Sequence, residues 1–182
     1  MTTTTETRHT LPAGTWNVDP VHSTVGFAVD YVVGTFRGTF SPVDAKVEVS
    51  DDGEVLTGSA PVAGVKVQDE ALEAHLKSPD FFDAERAPEI AFTSTGIRRD
   101  GEAIEVDGDL TIKGRTLPVK ATGIVTEPAD DAFGGVRYAL RLEAEVDRTD
   151  YGITWNNPLP NGKPSLANRV RISADLYLVK AE

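Results

Sequence analysis

Cysteine is absent from all 182 residues, which removes disulfides, thiolate nucleophiles and cysteine-built metal sites. Histidine is almost as scarce. His9, His22 and His75 are the three, widely spaced, and no metal site is expected. No apolar run approaches the ~20 residues of a membrane-crossing helix, so stable membrane insertion is not expected. Positive charge is in deficit, with 18 basic against 29 acidic residues and a net charge of -11, which argues against a nucleic-acid partner. The glycines form neither a phosphate loop nor a dinucleotide fingerprint, and Asp51-Asp52-Gly53 lacks the remaining ligands of a calcium loop. The stretch from Met1 to His9 is threonine-rich and has no apolar core of the kind a secretory signal needs. Residues 1–12 therefore read as a disordered leader, 13–182 as a single domain, and the location as cytoplasmic.

What the chain does have is alternation. Val25, Phe27, Val29 and Tyr31 alternate with small or polar residues; so do Ile104, Val106, Leu110 and Ile112, and later Tyr138, Leu140, Leu142 and Val170, Ile172, Ala174, Leu176. A strand from Ser23 to Phe40 is too long for one barrel stave, so the chain must reverse near Val32 to Thr35. Apolar parity changes between Phe40 and Val43, which requires a residue to be absorbed near Ser41-Pro42. Asp51-Asp52-Gly53, Asp100-Gly101 and Lys113-Gly114 read as tight turns. The sum is an all-β fold: an antiparallel, up-and-down, lipocalin-like barrel of about eight strands, with a two-sheet sandwich as the structural alternative.

One stretch breaks the pattern. Residues 69–85 read as a short helical lid, capped by Asp69, carrying a Glu73–Lys77 pair, and followed at Ser78-Pro79 by a turn that presents Phe81 and Phe82. One of the two rings is expected to face the barrel. Counting strands puts this lid at the same end as the long Arg148–Asn168 connection and the Lys113-Gly114-Arg115 turn. That end gathers Arg37, Lys77, Lys113, Arg115, Arg148, Lys163 and Arg169 and is expected to be a basic mouth. An eight-stranded barrel is either filled by its own side chains or holds one ligand. The inward positions Val43, Ala45, Val119, Ala121, Gly123, Ala144 and Ala174 are small and favour a cavity.

Chemistry is harder to find. His22-Ser23 lies at a strand start without a nucleophile elbow, and Asp107 with Asp109 falls on the outward face. His75 lacks a partner ligand three or four residues before it, where Leu72 and Ala71 stand. No catalytic residue is assigned.

Trp16, Asp19, His22-Ser23 and Phe27; Ala74-His75-Leu76, Ser78 and Asp80-Phe81-Phe82-Asp83, with Pro88 and Phe92; Gly108-Asp109-Leu110-Thr111-Ile112-Lys113-Gly114 with Pro118-Val119; and Asp150-Tyr151-Gly152 before Trp155-Asn156 together resemble the YceI-like polyisoprenoid-binding family. The resemblance runs over about residues 15–180. It implies a lipocalin-like barrel that binds, stores or transports an isoprenoid lipid without catalysis, the lipid being a polyprenyl phosphate or pyrophosphate or a prenylated quinone. It implies no cofactor beyond that lipid, and a homodimer. This chain departs from the family pattern at Leu72, where a basic residue is common, and at Tyr31, where a histidine is common. On this reading the apolar tail lies among Phe27, Val29, Tyr31, Val47, Phe81, Phe82, Phe92, Val119, Ala121, Leu140 and Ile172. The head group lies near Arg37, His75, Lys77, Trp155 and Asn156. The alternatives are a small-molecule enzyme using His75 as acid or base, and a stress or assembly protein with a filled barrel.

Overall fold

The computed structural model describes residues 11–182. The strands are β1 (Gly14–Val18), β2 (Thr24–Tyr31), β3 (Gly34–Phe40), β4 (Asp44–Ser50), β5 (Gly53–Pro61), β6 (Val65–Lys66), β7 (Glu89–Asp100), β8 (Ala103–Ile112), β9 (Arg115–Val125), β10 (Ala129–Asp130), β11 (Val136–Asp147) and β12 (Leu166–Lys180). One helix, α1 (Glu70–Lys77), interrupts them. All pairings are antiparallel, and β11 joins β12 along its whole length, from Arg137↔Val179 to Asp147↔Arg169. The result is the eight-staved closed barrel expected from the alternation.

Twelve strands make eight staves because the first three staves are each broken in two and the two-residue β10 pairs with β11 in continuation of β9. β1 and β2 both pair with β12, β4 and β3 pair with β1 and β2, and β5 and β6 pair with β4 and β3. Each break lies at or just after a proline, which cannot donate to a ladder. At the first, Asp19 accepts from the Val21 amide beside Pro20. At the second, Ser41-Pro42 is a cis peptide, and at the third a 3-10 turn, Val62–Gly64, follows Pro61. The last two are mated: the Ser41 amide donates to the Gly64 carbonyl at 3.0 Å, and a Cβ on Gly64 would fall 2.0 Å from the Ser41 oxygen. The chain reverses at Val32-Val33, as its length requires.

The interior divides into two apolar clusters. The one away from the lid is solid, with Trp16 fully buried edge-on to Tyr138 (5.0 Å) and surrounded by Val47, Ile104, Val106, Leu140 and Leu178. Leu11 joins this cluster and the Pro12 carbonyl accepts the Trp16 indole N–H, so both residues of the expected leader pack against the barrel. The rest of the expected leader, residues 1–10, lies outside the described residues.

At this end Arg137 bridges Asp19 and Asp131, tying the first chain break to the β10–β11 turn. Asp131 is held down to about 2, first by the Arg137 hydrogen bond and then by the Gly135 and Phe133 amides. Asp19 is likewise held at about 2, by His22 first and Arg137 second. A carboxyl whose folded pKa is depressed contributes stability present above its unfolded pKa, near 4, and lost as pH falls through the folded value. Urea melts at a series of pH values should therefore show an Asp131→Asn protein less stable than the parent at pH 6, with the gap closing between about pH 4 and pH 2. A gap independent of pH would mean the carboxylate charge is not what matters.

Candidate functional site

The lid forms where the sequence places it. The Asp69 carboxylate accepts from the Leu72 amide at 2.9 Å, and Leu76 is the buried residue of the helix. Glu73 takes Lys66 at 3.3 Å and Lys77 at 3.8 Å. After the helix, Ser78 turns the chain, its hydroxyl donating to the His75 carbonyl and its own carbonyl accepting from Phe81 and Asp83. This turn sends both rings inward rather than one. Phe82 meets Phe27 and Phe40 (6.0 and 5.4 Å between centroids), while Phe81 meets His75 and Trp155 (4.9 and 5.3 Å).

The second long connection is organised by a buried cation. Arg148 is 5 % exposed, and its guanidinium donates to the carbonyls of Ala167, Ile153, Trp155 and Leu166. Burial pulls its pKa down, opposed by Asp147. Asn156 completes the loop, donating to Leu166 and accepting from the Ser165 and Leu166 amides. Lys113, at the β8–β9 turn, fastens the two long connections to each other by donating to Pro79 and Gly152 carbonyls. Arg115 donates to the Asp150 carbonyl. Arg148, Lys113 and Arg115 thus hold loop backbone, in place of the open basic mouth that their positions suggest.

Beneath the lid lies a cavity of about 430 Å³, walled almost wholly by apolar atoms. Phe27, Val29, Tyr31, Phe81, Phe82, Phe92, Val119, Ala121 and Ile172 line it, as do His75 and Trp155. Val47 and Leu140 do not, because they pack in the solid cluster that forms the floor. Arg37 is exposed on the outer face of β3, Lys77 pairs with Glu73, and Asn156 is spent on the loop, so none of these three reaches the cavity. The sequence alone does not single out Phe36 and Phe40, which share strand parity with the inward face, or Leu72, one helical turn before His75, yet all three line the cavity. Tyr151 and Ile153 also line it, placed there by Arg148, and carry no periodic signal. Two glycines make room for the rings: a Cβ at Gly38 would meet Phe27 at 2.6 Å, and one at Gly108 would meet Phe92 at 2.3 Å.

His75 Nε2 lies 3.0 Å from the Asp80 carboxylate, and its ring stands perpendicular to Trp155 at 5.0 Å. Among the described residues no cluster of His, Asp and Glu could hold a metal ion, and no helix is long and apolar enough to cross a membrane.

Solved structures share this architecture. BcnA of Burkholderia cenocepacia superposes with a TM-score of 0.72 at 22% identity, covering 90% of this chain and 99% of that one. A polyisoprenoid binding domain from Saccharophagus degradans gives 0.65 at 10% identity, covering 91% and 98%. In sequence, protein YceI of Escherichia coli O157:H7 is 30% identical over 140 residues, 72% of this chain and 71% of that protein. The family model described as the YceI-like domain matches residues 16–178. The chain belongs to the YceI-like family.

Proposed function

We propose that this chain is a non-catalytic binding protein for an isoprenoid lipid, storing or carrying the tail in the barrel with the head at the lid. The observation that carries this reading is the apolar cavity of about 430 Å³ closed by a helix and two phenylalanines, a size and lining typical of a small-molecule site. The Saccharophagus degradans neighbour, described as polyisoprenoid binding, supports it. Each methylene moved from water into such a wall contributes about 0.8 kcal/mol, so a few prenyl units supply ample driving force even after the loss of chain freedom.

Among head groups, an uncharged prenylated quinone fits better than a polyprenyl phosphate. Among the described residues Arg148 is the sole lysine or arginine lining the cavity, and four of its five N–H groups are committed to carbonyls. A buried phosphate without a free cation is costly, whereas a quinone carbonyl needs no more than one donor, which the His75 and Trp155 edge of the cavity can supply. Native mass spectrometry after incubation with either lipid tests this. The quinone complex should survive, with the phosphate bound about tenfold more weakly or not at all. Retention of neither removes the carrier reading, and preference for the phosphate reverses the head-group assignment. The same native mass reports whether the protein is the homodimer that the family resemblance implies.

A further inference from the structure

The β2–β3 hairpin ends in a choice of residues that neither folding nor solvation explains. Its two-residue tip, between the paired Tyr31 and Gly34, is Val32-Val33. Such tips favour Asn-Gly or Asp-Gly, because at least one residue must take a positive φ. Val32 takes it, at 48°, a conformation that β-branched side chains resist. The side chains are not hidden in return: Val33 is 99% exposed, Val32 52% and Tyr31 48%. Local rules broken together at one place mark a functional site more often than an accident of packing.

The position of the tip says what it serves. Tyr31 lines the cavity, and the Val32 amide donates to the Ser165 carbonyl at 2.9 Å, so the hairpin forms one rim of the mouth. Beside it stands the loop that ends at Ser165, with Pro158, Pro160 and Pro164 exposed. Across Tyr31–Phe36 and Ile153–Pro164 the only charged residue is Lys163. On a chain of net charge -11, two neighbouring projections without a carboxylate form a surface matched to zwitterionic or anionic head groups. Two valines and a tyrosine also make too small a patch for a stable protein interface, which takes roughly 800 Å² from each partner, but enough for shallow insertion at a bilayer surface.

We infer that the Val32-Val33 tip, with the adjoining 157–164 loop, docks the mouth of the barrel on a lipid bilayer surface, from which the ligand passes into the cavity. This rests on the carrier reading for its cargo, though not for the docking itself. The test uses the full chain and a Val32→Asn, Val33→Gly double variant. Flotation with phosphatidylcholine vesicles containing a minor share of phosphatidylglycerol reads docking. The rate of uptake of a prenylated quinone from the same vesicles reads transfer, and uptake from ethanol dilution reads the cavity alone. Docking and transfer should both fall about tenfold in the variant, with uptake from ethanol unchanged and the melting temperature equal or higher. Equal flotation and transfer by parent and variant overturns the inference. So does a parent protein that takes quinone from ethanol yet never floats, a result that leaves the carrier reading intact. A protein that takes no quinone from either source removes the carrier reading, while flotation with quinone-free vesicles still decides the docking. A dimer that Val33→Asp dissociates overturns the bilayer in favour of a second copy of the chain.

Discussion

Replacing Arg148 by methionine lowers the melting temperature by about 10 °C or more. The guanidinium is the common donor for four carbonyls spread over Ile153 to Ala167. Its loss leaves at least the Ile153, Trp155 and Ala167 oxygens without that partner in a buried loop. At about 1–3 kcal/mol for each unsatisfied group, partly relieved by water, the loss comes to about 3–5 kcal/mol. One kcal/mol moves the transition by about 2–4 °C in a domain of this size. Methionine keeps the length and removes the donors; lysine keeps the charge but cannot span four acceptors, so Arg148→Lys should recover only part of the loss. The same change should reduce lipid retention, because Tyr151, Ile153, Trp155 and Leu166 are cavity walls set in place by this loop. A thermal melt within about 2 °C of the parent would show that the loop holds itself without its cation.

The Val119→Trp protein should lose lipid retention by about a hundredfold while keeping its β-sheet circular dichroism. Val119 sits on β9 opposite Gly108, half-buried against the cavity rather than packed in the floor. An indole there points into open space, so overpacking costs little, whereas the same change at the buried Ala121 would strain the solid cluster. The ring displaces the room of about four tail carbons, worth about 3 kcal/mol at 0.8 kcal/mol each, which is the hundredfold expected. Native mass spectrometry against a prenylated quinone measures it directly. Undiminished retention would place the tail elsewhere.

The barrel could be read from the chain because its signals are local. Alternation in β8 survives as strict burial of Ile104, Val106, Gly108, Leu110 and Ile112, and the helix cap at Asp69 depends on residues within one turn. The parity change at Ser41-Pro42 and the length argument at Val32 located two of the irregularities for the same reason. What escaped depends on distance in space. Val47 and Val119 look alike in sequence, both inward valines, yet one meets the Trp16 cluster and the other faces a void. Only the closure of the barrel decides which half is filled. Arg148 escaped for a different reason: its partners are carbonyls, which every residue carries, so sequence holds no mark of them. A cation at a loop start reads as solvated until the loop is seen to wrap it. Arg37, Lys77 and Asn156 stand outside the cavity lining for the complementary reason, that nearness to the mouth in topology is not access to it.

The barrel wall is of two kinds. β7, β8, β9, β11 and β12 are unbroken strands of ten to fifteen residues, while the other three staves are each jointed near Pro20, Pro42 and Pro61. Stiffness therefore varies around the circumference. Amide protons in the β11–β12 ladder should exchange only with global unfolding, and those flanking the joints through local opening. The jointed arc also carries Phe27, Phe36 and Phe40, so those three rings ride on hinged segments and the opposite wall on a rigid one. A guest too long for the resting interior should therefore be accommodated by displacement of the jointed side, which would give the barrel a single soft seam.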